Sequence, residues 1–422
     1  MRPVKRHILA AAALTFCLAA QASFIDSGNG TPARPYRITS ADDLVEFAGE
    51  VSWGNTFRGR YVVLDTDLDM SLYEDFAPIG VCGDEAATST SFEGTFDGLF
   101  HTISGLTILD TVTGEATGLF ASIDNGGTVC NLHMGADCYI SGDGNTGMVA
   151  GRVWDGDIIF CSNDGRAEGR TRTGGIVGDM RGGLIYGCCN HGQVQTTEAG
   201  AGGIVGRADG TIAIYGCYNT GHVTSRRAGA CGGIAAMAYT HVDFAACYNA
   251  GRISGRYSEA FEISPAPIAS DIPELIWTGT MEGCCYDTAL SGDVSQNGAV
   301  AMTTARLSSA EGIDYLNESL PALDRQASVL DYPYEDTVYR RAPQAYGSTL
   351  PILGWELRSS SPIDEIESDL HPRLDIRGTM VRAADGSTIS AWSPTGRLVD
   401  RGTSLTLPQG FYIIEGQKVL IR

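Results

Sequence analysis

The chain has 422 residues, 54 of them glycine and 15 proline, with ordinary apolar content and few helix-forming runs. That composition suits an all-β protein with a large core. A formal net charge of −21 excludes nucleic acid and anionic membrane as partners, and lysine occurs only at Lys5 and Lys418, which excludes lysine-based catalysis on the body of the chain.

Residues 1–22 read as a secretory signal peptide. Arg2, Lys5 and Arg6 form the positive end, residues 8–20 the apolar core, and Ala20-Gln21-Ala22 a small-x-small cleavage site. The core is too short to span a membrane, and the sequence predicts no transmembrane segment elsewhere. Cleavage near Ser23 takes the net charge from −21 to −24.

The mature fold begins with a short strand around Tyr36-Arg37-Ile38. Ser40 followed by Asp43 is a helix start, and Leu44, Phe47, Ala48 and Val51 continue it at helical spacing. A helix here would cap the open end of a stack of strands. Residues 61–70 alternate as one strand, with Leu64, Leu68 and Met70 on one face and Asp65, Asp67 and Asp69 on the other.

From Gly147 the chain repeats itself. Thr173-Gly174-Gly175-Ile176-Val177-Gly178 leads to Gly187-Cys188-Cys189-Asn190-His191-Gly192. Ala201-Gly202-Gly203-Ile204-Val205-Gly206 leads to Gly216-Cys217-Tyr218-Asn219-Thr220-Gly221, and Cys231-Gly232-Gly233-Ile234 to Ala246-Cys247-Tyr248-Asn249-Ala250-Gly251. A weaker copy ends in Cys161-Ser162-Asn163-Asp164-Gly165. Glycines 147, 174, 202 and 232 are 27, 28 and 30 residues apart; cysteines 161, 188, 217 and 247 are 27, 29 and 30 apart. Such a period means a solenoid. Short Ile/Val/Tyr/Cys runs broken by glycine pairs are strands and turns. Equivalent strands must stack in parallel, so the spacing predicts a right-handed parallel β-helix of 27–30-residue coils. Coils are expected from about Phe92 to Leu290, with an insert holding Pro265, Pro267 and Pro273 bulging out as a loop. Leu307, Ile313, Leu316 and Leu320 suggest a closing helix, and residues 350–355 a terminal strand.

Gly-Gly-Ile-Val-Gly followed by Cys-Tyr-Asn-x-Gly resembles the GLUG repeat of bacterial surface proteins. Residues 92–108 resemble the segment that precedes such repeats, and the resemblance covers roughly residues 30–355. It implies a β-helix on a secreted or cell-surface protein, adhesin-like, binding a host or bacterial macromolecule, a protein or a glycan.

Residues 359–369 are a polar linker, and residues 370–422 a small antiparallel β-sandwich with turns at Asp385-Gly386, Pro394-Thr395-Gly396 and Pro408-Gln409-Gly410. This unit resembles the C-terminal sorting domain of the type IX secretion system, and Gly410, Tyr412 and Lys418 carry the resemblance. It implies export to the outer surface of a Gram-negative bacterium by that machinery. The domain organisation is then signal peptide 1–22, β-helix 23–300, a C-terminal cap 301–358, the linker and the sorting-domain-like unit.

Four cysteines, Cys161, Cys188, Cys217 and Cys247, share one repeat position. In-register neighbours lie about 4.8 Å apart with parallel Cβ vectors, a poor geometry for disulfides, so a buried ladder of free thiols is expected. The vicinal pairs Cys188-Cys189 and Cys284-Cys285 point to opposite faces. Asn163, Asn190, Asn219 and Asn249 share the position two later and predict a structural ladder whose amides bond the next coil's backbone. The alternative for them is a sugar-binding ladder. Asp65, Asp67 and Asp69 are spaced too widely for one Ca²⁺. No CxxC appears and the seven histidines show no ligand spacing, so no metal or cofactor is expected. No catalytic residues stand out. A polysaccharide lyase or glycoside hydrolase remains the alternative to a non-catalytic binding protein, and convergent carboxylates in a groove on one coil face would favour it.

Overall fold

The computed structural model describes residues 23–74, 76–83, 89–110, 115–198, 200–226, 230–255, 265–270, 277–292, 294, 296, 298–323, 338–343, 348–359, 374–377, 380–383, 389–392, 398–407, 410–414 and 417–421. The expected signal peptide, 1–22, and linker positions 360–369 lie outside them.

The coils stack as a parallel β-solenoid of about seven turns. Each full coil visits four sheets. One coil runs Thr173–Gly174, Val177–Tyr186, Cys189–Asn190 and Gln193–Thr196 before entering the next at Ala201–Gly202. Among the described strands every pairing between coils is parallel and in register: Asn163↔Asn190↔Asn219↔Asn249, and Val177↔Val205↔Ala235. The interior is filled by the alternate residues of these strands, among them Ile158, Ile185, Ile214 and Phe244, all fully buried.

Tight corners dictate the repeated glycines. A Cβ on Gly203 would lie 2.0 Å from the carbonyl oxygen of Gly233 in the next coil, so only glycine lets the two backbones approach. The corner before the cysteines is left-handed in successive coils, with φ of 52° at Phe160, 61° at Gly187, 62° at Gly216 and 52° at Ala246.

The N-terminal helix α1 (Ala41–Ser52) forms as its sequence pattern requires. Ser40 accepts from the Asp43 amide, and Leu44, Phe47, Ala48 and Val51 are buried. Phe47 packs on Phe57, Phe92, Phe96 and Phe120, which closes the apolar mouth of the stack.

Four local expectations are corrected. The stack starts well before Phe92, because Tyr36–Ile38 pairs with Tyr61–Leu64, which pairs with Thr95–Asp97. Residues 61–70 are not one strand; a corner at residues 65–67 sends Tyr61–Leu64 and Leu68–Asp69 into different sheets. The proline-containing insert returns to the stack, since Ala266 and Ala269 bridge Gly232 and Ala235 in parallel.

The fourth correction concerns residues 301–358. Val300–Met302 adds a last rung beside Cys285–Asp287. The helices α2 (Thr304–Leu307) and α3 (Ala310–Glu318), the antiparallel pair Tyr339–Arg341 with Pro351–Leu353, and α4 (Glu356–Ser359) then run back along the flank. They form a strap. Leu307, Leu316, Tyr339, Leu350, Leu353 and Trp355 make a second apolar core with outward-facing residues of the coils, Cys189, Tyr186, Tyr218, Tyr248 and Cys285 among them. Apolar outward residues on those strands require a cover, and the strap supplies it.

The C-terminal segment holds two antiparallel sheets. One contains Leu374–Arg377, Met380–Ala383 and Ser404–Thr406; the other Ile389–Trp392, Leu398–Gly402, Gly410–Ile414 and Gln417–Ile421. Gly410 and Tyr412 lie on one strand and Lys418 on its neighbour, with Tyr412 opposite Val419 and Ile413 opposite Lys418.

Candidate functional site

The strand Cys189–Asn190 shows how the coil builds a site. Side chains alternate across a strand, so Asn190 points into the stack while Cys189 and His191 share the outward side. Inside, Asn163, Asn190 and Asn219 each donate from Nδ2 to the Oδ1 of the next coil's asparagine at 2.7 Å, and Asn249 ends the chain on Ser291 Oγ at 2.8 Å. The partner is thus the next side chain, not the next backbone as expected from sequence. Backbone contacts are made within the same turn, where Asn163 Oδ1 accepts from the Gly165 amide. All four asparagines are fully buried, which leaves no surface for a sugar-binding ladder.

Cys161, Cys188, Cys217 and Cys247 are free and fully buried. Each lies one coil from the next, with the Cys161 amide donating to Cys188 Sγ and the Cys188 amide to Cys217 Sγ, both at 3.4 Å. The vicinal cysteines divide as their alternation demands. Cys188 and Cys284 belong to the interior, Cys189 and Cys285 to the core beneath the strap.

Outside, two ladders run up the same sheet. One reads His133, Ser162, Cys189, Tyr218, Tyr248, with the last two rings stacked at 4.7 Å and 4°. The other reads Asp164, His191, Thr220. The strap crosses both ladders and leaves a cleft of about 360 Å³. Ser162, Asp164, His191 and Thr220 form one wall; Leu350, Pro351, Ile352 and Glu356 form the other; His133 and Tyr218 lie between.

Glu356 is the link across the cleft. Its Oε1 accepts from the Leu353 amide at 2.6 Å and its Oε2 from the Tyr218 hydroxyl at 2.6 Å. His191 Nε2 is 3.7 Å from the same Oε2, and His191 Nδ1 bonds Thr220 Oγ1 at 2.7 Å. The ligand atoms of Cys189, His191 and Glu356 all lie within 4.8 Å of one another. Glu356 is 7% exposed at its side chain and His191 36%.

Burial and charge set the protonation here. Burial alone would lower the pKa of His191; the Glu356 contact and the charge of Asp164 outweigh it and hold the imidazole above its ordinary value. Burial pushes the Asp164 carboxyl up, against the pull of His191. Burial, with His191 beside it, brings His133 down to about 4. The thiol of Cys189 and the hydroxyl of Tyr218 are both pushed well up by burial. His133 Nδ1 bonds Ser162 Oγ at 2.5 Å, whereas its buried Nε2 has no hydrogen-bond partner among the described residues.

The seven histidines show no ligand spacing along the chain, yet the fold brings His133 and His191 into one cleft. Cys189-x-His191 carried a signal, two donors on one side of a strand, but Glu356 lies far along the chain. The other carboxylates singled out serve locally. Asp65 pairs with Arg37 at 2.7 Å and Asp67 with His101 at 3.0 Å, while Asp69 accepts from the Ser71 amide. Asp97 is buried and accepts from Asn131 at 2.7 Å.

No family model matches the chain. A segment of 160 residues is 32% identical to Halomucin from Haloquadratum walsbyi, covering 36% of this chain and 2% of that protein's length. The crystal structure of a "putative immunoglobulin A1 protease" from Bacteroides ovatus is similar over 78% of this chain and 94% of its own, at 18% identity and a TM-score of 0.47.

Proposed function

We propose that the protein is exported and acts at the outer surface of a Gram-negative bacterium, or free outside it, as an adhesin-like binding protein. Its flank cleft takes a short polar segment of an extracellular macromolecule, a glycan chain in the first instance. The cleft carries this reading. Its volume of about 360 Å³ suits a small-ligand site, and its walls differ in kind. Ser162, Asp164 and Thr220 offer hydrogen bonds from a rigid ladder, and Leu350, Pro351 and Ile352 offer an apolar edge. A sugar ring presents hydroxyls at its rim and C–H groups on its faces, which matches both. Export is supported by the signal-like residues 1–22 and by the GLUG-like repeats. Handling by a type IX machinery is supported by the tail's resemblance at Gly410, Tyr412 and Lys418.

A second reading has its own observation. Asp164 and Glu356 line one cleft, and burial favours the protonated form of Asp164. An acid and a hydrogen-bonded carboxylate on one groove are the parts of a glycoside hydrolase. A glycan array and a reducing-sugar release assay on the same purified chain separate the two. Binding without release, weakened by Thr220→Val, supports the binding protein. Release that disappears in Asp164→Asn supports the enzyme. Neither binding nor release would remove both readings.

A further inference from the structure

We propose that Cys189, His191 and Glu356 bind one Zn²⁺ ion, with a fourth coordination position open to the cleft. This inference does not rest on the glycan reading; it stands on the donors and their surroundings.

A thiolate, an imidazole and a carboxylate form a mixed S/N/O set that suits zinc and disfavours the hard cations Ca²⁺ and Mg²⁺, which take oxygen ligands. With Zn–S near 2.3 Å and Zn–N and Zn–O near 2.0–2.2 Å, tetrahedral donors sit roughly 3.4–3.6 Å apart. His191 Nε2 and Glu356 Oε2 are already 3.7 Å apart, and Cys189 Sγ lies within 4.8 Å of both. Small side-chain shifts close the triangle.

The outer hydrogen bonds favour the same arrangement. Metal-bound histidines hold their other nitrogen on a fixed partner. His191 Nδ1 is held by Thr220 Oγ1, and in the tautomer that donates there Nε2 is the ligand nitrogen, 3.7 Å from Glu356 Oε2 and 3.4 Å from the Tyr218 hydroxyl. The carboxylate is itself held by the Tyr218 hydroxyl and the Leu353 amide. Cys189 and His191 are two apart on one strand edge, so the stack fixes their separation, while Glu356 arrives on the strap.

A further observation points to what fills the fourth position. His133 Nε2 is buried against the cleft without a hydrogen-bond partner among the described residues, and its Nδ1 is engaged by Ser162. With Nδ1–H donating to Ser162 Oγ, Nε2 is the acceptor nitrogen of the neutral ring. In that tautomer His133 would offer an acceptor on the cleft to a water or an oxygen-bearing ligand held at the open position. Three protein donors with one open position is the arrangement of reactive zinc sites, whereas structural sites are closed by four.

The test uses the full chain, stripped with chelator and dialysed against Zn²⁺. Elemental analysis should give one zinc per chain. Substitution with Co²⁺ should give tetrahedral d–d bands and a thiolate-to-metal charge-transfer band. Cys189→Ala should abolish the charge-transfer band, while Cys231→Ser, a buried thiol elsewhere, should leave it. His191→Gln and Glu356→Gln should each weaken Zn²⁺ binding by more than 10-fold, and Thr220→Val by about 10- to 100-fold. Circular dichroism of the metal-free variants separates lost ligation from lost folding. If Cys189→Ala does not fold, Glu356→Gln decides, since its amide oxygen still accepts from Leu353. Absence of stoichiometric zinc in the folded wild-type chain would overturn the proposal. Affinity unchanged by Glu356→Gln and His191→Gln together would do the same. A glycan array on the zinc-free chain then reports on the binding reading alone.

Discussion

Asn190 sits in the middle of a buried chain of side-chain amides, and removing it breaks a hydrogen bond on each side. Asn163 Nδ2 loses its acceptor, and Asn219 Oδ1 loses one of its two donors and keeps the Gly221 amide, all inside a fully buried ladder. Asn190→Ala should therefore cost about 2–4 kcal/mol, seen as a lower urea midpoint with an unchanged slope. His133 offers a titration. Its folded pKa of about 4 lies below the ordinary value of 6.5, so the unfolded chain takes the proton first. The stability contributed by neutral His133 is complete above pH 6.5 and drains as pH falls toward 4, by up to about 3 kcal/mol. His191 and Asp67 are the charged groups that face it, the first lowering its pKa and the second raising it. Chelator-treated His133→Gln should lose less stability over that window than the wild type in paired urea titrations. At this scale the repeated positions were legible. Cysteine and asparagine recur at fixed offsets because the coil repeats, and their burial followed from that alone. The partners were less legible. Nothing in one coil says that an amide's acceptor is the amide one coil away, and nothing near Cys189 announces Glu356.

Elements fall into the same two classes. Helix α1 was legible from its cap and its apolar spacing, because it covers a surface with its own helical face. The strap was not. Its apolar residues, Tyr339, Leu350, Leu353 and Trp355, follow the ladders they cover, and those ladders belong to other parts of the chain. The sequence therefore suggested a lid on the end of the stack where the structure has a cover along its side. Trp355 anchors that cover. It is fully buried, stacks on Phe100 at 5.9 Å, lies 6.0 Å from Phe160, and donates from Nε1 to the Gly187 carbonyl at 3.0 Å. Trp355→Ala should weaken strap docking by roughly 3–5 kcal/mol. Limited proteolysis should then cut within residues 338–355, while far-ultraviolet circular dichroism keeps the signal of the coils. Loss of that signal too would mean that the coils do not stand without the strap.

For the whole molecule, parallel stacking and free thiols make a joint prediction. In the native protein Cys161, Cys188, Cys217 and Cys247 should resist alkylation; after denaturation without reductant all four should react. Disulfides among them in mass spectrometry would contradict this register. The tail gives a separate prediction. A chain truncated after Ser359 should keep the circular dichroism and the melting transition of the coils, because the tail strands pair with one another in two sheets of their own. If the tail is the export signal, the truncated chain should also stay in the periplasm of the native host. Arrival of the truncated chain at the surface in full yield would reduce the tail to a passenger.

The strap has a consequence for how the molecule comes apart. A stack of coils is close to one-dimensional, and each rung is stabilised by the two beside it, so such arrays can fray coil by coil. Here one continuous segment bonds Gly187, Tyr218, Ala246 and Tyr248 and packs on Phe100 and Phe160. None of those rungs can leave without breaking its own contact with the segment that holds the others. Nearest-neighbour coupling becomes long-range coupling, and the rungs between Phe100 and Tyr248 open together or not at all. The cleft lies within that span, so its walls keep their spacing, while α1 closes the first coils from the other end through Phe47 on Phe92, Phe96 and Phe120.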